Sequence, residues 1–504
     1  MRLLTIALLL VAAPAAAQQP RQLTADDYAR AERFLGQNTV PLVSGLVTGP
    51  PTWLADGRLW YRATTTGGGE IVMVDPARGT RAAAFDHTRL ATALAALTGG
   101  RLDPARLPLQ ALEFSKDARA ITATVGNRRL TCSLVDYTCA AADTAGTYAA
   151  PRASVESPDG KYAAYIRDYN LWVKDLTTNQ DRQLTTDGVK DFGYATNNAG
   201  WIKSDLPVLL WSPDSKKIAT FQHDGRGVSQ MYLVSTNVGA PRLEAWRYPL
   251  PQDSVIFRIH RVVIDVEPAR VVRLQMPPDQ HRSTISDHIA EGSTLLDLQW
   301  FPDASQLAFV SSSRDHKTAT FRVANAATGA VRTVFEERSP TQFQSGFAAV
   351  GTPNWRLLPT LGKVLWWSQR DDWGHVYLYD LASGKLDRQV TTGSWNVAEV
   401  KHVDERARTL YFTGVGREAG RDPYFQHFYR IGLDGRGLTL LTQENAHHNI
   451  ELSPDHKYFF DSYSTPATPP VAVLRRINGQ VAAQLERADV SRLVATGWKP
   501  PTPI

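Results

Sequence analysis

The chain has 504 residues, with 55 Lys and Arg set against 50 Asp and Glu for a formal charge of +5. The basic side chains are interleaved with the acidic ones, so the clustered basic stripe of a nucleic-acid binder is missing. After the first 17 residues no apolar run reaches the roughly 20 residues that a spanning helix needs, which argues against a membrane protein.

Arg2, the apolar run Leu3–Ala13 and the small residues Ala15-Ala16-Ala17 ahead of Gln18-Gln19 read as a secretory signal, with cleavage expected near Ala17. The expected location is therefore periplasmic or secreted. Thr24 through Leu35 carries an N-cap candidate, early acids and helically spaced apolar residues, which predicts one short helix. From Trp53 onward Trp, Tyr, Val and Thr recur in short alternating runs between Gly, Asp, Pro and Asn, the texture of β structure.

Cys132 and Cys139 are the chain's two cysteines and flank a segment short enough for a hairpin. In an oxidising compartment an even count favours a disulfide; two buried free thiols in neighbouring strands stay open as the alternative. A zinc site is not expected from two cysteines with no histidine cluster nearby.

One turn recurs along the chain. Ser157-Pro158-Asp159-Gly160-Lys161, Ser212-Pro213-Asp214-Ser215-Lys216, Phe301-Pro302-Asp303-Ala304 and Ser453-Pro454-Asp455-His456-Lys457 each precede an aromatic or apolar strand. Ser115-Lys116-Asp117-Ala118 and Trp53-Leu54-Ala55-Asp56-Gly57 are weaker copies. Proline presets φ at the first central position and Asp bonds the backbone that follows, so the tetrapeptide closes a tight hairpin. A second hairpin follows, as in Asn170–Leu176, Met231–Val234 and Val376–Gly384. Paired hairpins repeating every 40 to 60 residues are the unit of a propeller blade. The expectation is an all-β, seven- or eight-bladed β-propeller between about Leu42 and Val473, with a short amino-terminal helix. Separate β-sandwiches would not need to reuse one tetrapeptide.

Catalytic signatures are missing. There is no Gly-x-Ser-x-Gly elbow, and Ser229 in Gly227-Val228-Ser229-Gln230-Met231 lacks the second glycine, so it reads as structural. Neither His447-His448 nor His223-Asp224 forms a ligand set, and they read as hydrogen-bonded blade residues. Ser368–His375 reads as a solvated strand connection with a packed Trp. A phosphate loop is absent, and so are the clustered carboxylates that a channel-sited sugar-cleaving enzyme would need. No cofactor and no metal are expected.

Leu210-Trp211-Ser212-Pro213-Asp214, Tyr248-Pro249, the series Trp366, Ser368, Arg370, Asp371, Trp373, His375, Tyr377 and Tyr379, and His447-His448 through Ser453-Pro454-Asp455 to Asp461-Ser462-Tyr463 together resemble the amino-terminal region of the dipeptidyl peptidase IV branch of the prolyl oligopeptidase family. The resemblance implies an eight-bladed propeller followed by an α/β-hydrolase domain that carries a Ser, Asp and His triad. It divides the chain into a signal peptide (1–17), a helical segment (18–41), the propeller (42–473) and a linker (474–504) toward a hydrolase domain that these residues do not contain. The helix near Tyr28 would lie against that domain. Family members that release dipeptides hold the substrate's amino terminus with paired glutamates, and the matching stretch here, Phe192 to Asp205, has none. The substrate-facing candidates are Asn197, Asn198, Trp201 and Asp205, with no catalytic residue. The expected function is a non-catalytic, substrate-gating propeller of a secreted serine peptidase, inactive alone; the alternative is a stand-alone periplasmic propeller that binds peptides or a protein. The expected partner is a peptide substrate or a hydrolase domain or second chain, with no nucleic acid and no membrane after signal cleavage, and homodimerisation stays open.

Overall fold

The computed structural model describes residues 22–142, 150–196, 204–280, 290–291, 294–295, 297–343 and 355–502. Eight antiparallel sheets follow one another along the chain: blade 1 (47–83), blade 2 (110–141), blade 3 (154–183), blade 4 (192–280), blade 5 (298–338), blade 6 (355–389), blade 7 (396–440) and blade 8 (447–487). The fold is thus an eight-bladed β-propeller, all-β but for a few short helices. In seven blades the four strands run in sequence order, so each blade is a simple meander.

A sheet this small has to be covered on both faces, and the middle strands show how the sequence achieves it. In Gln306–Ser312, Leu307 and Phe309 join a core with blade 4, while Ala308 and Val310 between them join a core with blade 6. In Lys363–Ser368, Val364 and Trp366 face blade 5, whereas Leu365 and Trp367 face blade 7. Consecutive residues point to opposite faces of a strand, so two-sided burial produces an unbroken apolar run. Each such side chain contributes about 2 kcal/mol on burial.

Tryptophans at the ends of inner strands link neighbouring blades. Trp211 Nε1 donates to the Val155 carbonyl at 3.1 Å, and Trp300 Nε1 to that of Leu210 at 3.2 Å. Ring closure needs no exchanged strand. Leu59, Tyr61 and Val72 of blade 1 pack on Phe460, Leu474 and Leu485 of blade 8, Tyr61 donates to Glu486 at 2.8 Å, and Arg81 pairs with the same carboxylate. Just outside the blades, Ser44 and Asp489 exchange two backbone hydrogen bonds, at 3.2 and 2.7 Å.

The recurring turn is built the same way in its three Ser-Pro-Asp copies. The Ser157, Ser212 and Ser453 hydroxyls donate to Asp159, Asp214 and Asp455 at 2.6–2.8 Å, and each accepts the backbone N–H five residues on at 2.9–3.0 Å. The residue after the Asp is left-handed in every copy: Gly160, Ser215, Ala304, His456 and Ala118 have φ of +71°, +61°, +56°, +52° and +53°.

The amino-terminal helix is Ala25–Glu32, capped reciprocally by Thr24 and Asp27. Cys132 and Cys139 sit opposite each other on paired strands and are joined by a disulfide. Three expectations need correcting. The propeller does not end at Val473, because Val471–Arg476 and Val481–Arg487 complete blade 8. Met231–Val234 is not a blade strand: Gln230–Ser235 and Arg242–Arg247 form a separate hairpin, and the strand that pairs with Lys217–Asp224 in blade 4 is Arg258–Asp265. In the 368–375 connection Trp373 is 38 % exposed, and the packed indole is Trp367, held against Gly374.

The turn chemistry sets two expectations of opposite sign. Ser453→Ala removes a buried hydroxyl that both donates and accepts, and is expected to cost about 1–2 kcal/mol. Ala118→Gly relieves a left-handed alanine and is expected to gain about 1 kcal/mol. Urea unfolding midpoints at constant slope check both.

Candidate functional site

In a four-stranded meander the first and third connections lie at one end and the second connection at the other. Links between blades leave from that same second end. In this chain that second end carries the irregular structure. Blade 4 is the departure from the simple meander: its inner position is shared by Phe192–Tyr194 and Leu210–Trp211, both paired with Lys217–Asp224, and its second connection holds the Gln230–Arg247 hairpin. The terminal segments also gather here, since Arg492 Nη1 donates to the carbonyls of Pro41 and of Thr66 in blade 1's second connection, both at 3.3 Å.

A cleft of about 350 Å³ opens where the hairpin meets the body of blade 4, lined by Tyr169, Lys190, Asp191, His223, Trp246 and Arg247 among others. Arg247 donates to Asp191 at 2.9 Å and to the Val228 carbonyl at 2.6 Å, fastening the hairpin to the link that follows blade 3. Arg226 grips Asp224 through two nitrogens at 2.9 and 2.8 Å and lies 3.9 Å above the Phe192 ring. Burial raises the Asp224 carboxyl, but the Arg226 contacts outweigh it and hold the group below the usual carboxylate range. His223 is stacked on Phe257, with ring centroids 4.9 Å apart. Burial pushes it down to about 4, against the opposing pull of Asp224 and Asp191, so it is neutral at pH 7.

Of the sequence candidates, Asn197, Asn198 and Trp201 lie outside the described residues. Asp205 is exposed, in the stretch between the two inner segments of blade 4. Tyr194, in the same stretch, is buried and donates to Asp187 at 2.6 Å, while Arg273 donates to the Tyr194 hydroxyl at 2.9 Å and pairs with Asp187 at 2.7 Å. Ser229 is exposed in the turn at the foot of the hairpin. The cleft itself was not visible in the sequence, because its lining comes from five separate stretches between Tyr169 and Phe257.

Among the described residues, Glu444, His448 and Asp461 bring ligand-type atoms within 4.8 Å of one another. Arg475 already fills that position, donating to Glu444 at 2.7 Å and to Asp461 at 2.8 Å, while the His448 ring meets Asp461 at 2.8 Å and the Glu444 carbonyl at 3.1 Å. The cluster is a compensated ion network in which the guanidinium serves as the cation. His375 is similarly occupied, by Thr391 at 3.0 Å and the Gly393 carbonyl at 2.8 Å.

Apolar surface is the other feature of this end. Among the described residues, the large apolar side chains left exposed all belong to this end, its hairpin or the terminal segments, except Val135, Leu386 and Val481. Tyr424 is 85 % exposed, Leu243 68 % and Tyr232 61 %. Monomeric proteins seldom leave such surface together without a partner for it.

An eight-bladed propeller with an elaborated fourth blade and one apolar end defines the class. The family model for the dipeptidyl peptidase IV (DPP IV) N-terminal region matches residues 141–470, and the chain belongs to that family. A probable dipeptidyl-aminopeptidase B of Aspergillus terreus is 23 % identical over 369 residues, covering 68 % of this chain and 38 % of that protein. Dipeptidyl peptidase 4 of Arthroderma otae is 24 % identical over 355 residues, covering 63 % and 41 %. The chain therefore spans about two fifths of the length of these relatives. The crystal structure of Porphyromonas gingivalis dipeptidyl peptidase 4 shares the fold, with a TM-score of 0.61 at 18 % identity, covering 88 % of this chain and 60 % of that one. A putative dipeptidyl aminopeptidase IV from Bacteroides ovatus gives 0.60 at 19 %, covering 86 % and 59 %.

The His223 environment predicts a pH dependence. Its folded value, about 4, lies below the unfolded value of about 6.5, so its stabilising effect is complete above pH 6.5 and is lost as pH falls toward 4. By pH 5 the loss reaches about 2 kcal/mol. Replacing the ring with His223→Asn should flatten the fall in urea midpoint between pH 7 and pH 5.

Proposed function

We propose that this propeller is the non-catalytic, substrate-gating half of a dipeptidyl-peptidase-IV-like serine peptidase. Its apolar end packs on an α/β-hydrolase domain and admits peptide to the space between them. The observation that carries this reading is the concentration of exposed apolar side chains at the end where the terminal segments emerge. The polar groups there are already paired with one another, as in Asp191 with Arg247, and they offer shape and charge for positioning rather than a nucleophile and base. The signal-like amino terminus supports a periplasmic or secreted location. Specificity for a free amino terminus would have to rest on groups other than paired glutamates, since Phe192 to Asp205 contains none. A second reading, a stand-alone exported propeller that binds peptides or a protein partner, rests on the same cleft and face.

Sedimentation velocity on the chain alone separates the two. An uncovered docking face should give concentration-dependent self-association that Tyr424→Lys with Trp373→Lys reduces and Val135→Lys, at the opposite end, does not. A monodisperse monomer would favour the stand-alone reading. A discrete dimer broken by Leu243→Glu alone would assign the hairpin to a second copy. No dipeptide amide should be hydrolysed by the chain on its own; turnover abolished with the protein by immunodepletion would overturn both readings.

A further inference from the structure

The recurring turn has an exception in blade 8. Its left-handed position holds Ala118, Gly160, Ser215 and Ala304 in blades 2 to 5, all small residues, but His456 in blade 8, at φ +52°. The left-handed conformation costs energy for any residue with a Cβ, so an imidazole held there calls for a reason beyond the turn itself.

A second irregularity ends at the same place. In Asn396–Asp404 of blade 7 the register shifts between Val400 and His402, so that Lys401 is an extra residue. Val400 and Val403 both join the core shared with blade 6, while His402, paired with Tyr411, is turned to the blade 8 side. Without this bulge His402 would follow Val400 to the other face, since alternate residues of a strand share a face. The His402 and His456 rings lie face to face, with centroids 3.5 Å apart and planes 15° from parallel. Both are half-buried, and among the described residues no hydrogen bond reaches any of their four ring nitrogens. The cations beside them are already paired, Lys401 with Glu399 at 2.8 Å and Lys457 with Asp455 at 3.0 Å. Burial and the neighbouring His456 hold the His402 ring below its ordinary range, against the pull of Asp404, so the ring is neutral at pH 7 and has a lone pair to offer.

We propose that His402 and His456 form a two-imidazole site for one divalent transition-metal ion of the zinc, nickel and copper group, which clamps blade 7 to blade 8 at the end opposite the apolar one. Imidazole suits these ions, whereas magnesium and calcium take oxygen ligands. A zinc–imidazole bond is about 2.0–2.1 Å long, so one ion can span nitrogens up to about 4 Å apart. Rings with centroids 3.5 Å apart come within that span by turning about their Cβ–Cγ bonds, and no hydrogen bond holds them in the stacked orientation. Water completes the coordination from the exposed side. The inference rests on the fold and is independent of the function proposed above.

Zinc chloride titrated calorimetrically into the full chain supplies the test. Zinc should bind and raise the thermal unfolding midpoint, because it is held only by the folded arrangement of two blades, and magnesium chloride should do neither. His456→Gly gives the turn the residue that blade 3 has there, and His402→Phe keeps a ring in the stack, so both variants should fold. Each should weaken the tightest zinc site roughly tenfold or more and cancel the shift in midpoint. Unchanged zinc affinity in both variants, or a loss in one of them alone, overturns the proposal. If His402→Phe is not recovered folded, diethyl pyrocarbonate modification of the unaltered chain decides. Zinc should then protect His402 and His456 together, and protection of one ring or of neither overturns the site.

Discussion

A four-stranded sheet has too little area to keep one face dry by itself, and the ring follows from that constraint. Blades such as the fifth and sixth offer two apolar faces, and their neighbours are the available cover. The demand reaches single residues, since Leu307 and Ala308, adjacent in the chain, serve cores on opposite sides of blade 5. Closure follows without a shared strand, because blade 1 finds in Phe460, Leu474 and Leu485 the same kind of surface that every other packed face finds.

The repeated turn was legible because its chemistry is local. Ser and Asp two residues apart lock the same loop wherever they occur, and they do so even where Ser, Ala or His occupies the left-handed position that glycine suits best. The number of blades, left at seven or eight, was harder to read because the fourth blade breaks the meter. Met231–Val234 has the composition of a blade strand, yet it belongs to an inserted hairpin, and local pattern cannot tell a strand that pairs across a blade from one that pairs only with its own return. The end of blade 8 was missed for a related reason. Val481–Arg487 is an outermost strand with mixed exposure, and it lacks the continuous apolar run that marks an inner one.

The candidate site shows a different limit. Family likeness directs attention to Phe192 to Asp205, of which the described part includes Phe192–Tyr194, one of the two inner segments of blade 4. The cleft, however, is assembled from Tyr169, the Lys190–Asp191 link, His223, the Trp246–Arg247 end of the hairpin and Phe257, five stretches whose proximity is a property of the ring. Charge there is balanced by pairing, and the same holds for the network around Arg475. What distinguishes this end is its unbalanced apolar surface, spread over positions such as Tyr169, Val189, Trp373 and Tyr424 that share no sequence pattern.

The reciprocal bonds between Ser44 and Asp489 hold the two terminal segments side by side at the rim of that surface. Anything covalently attached at either segment begins its path there. A tethered domain on a short linker experiences an effective concentration near its docking face in the millimolar range, whatever its intrinsic affinity. The contact itself can therefore be weak and readily broken while remaining occupied most of the time, so that the two bodies can separate and meet again without being lost to each other.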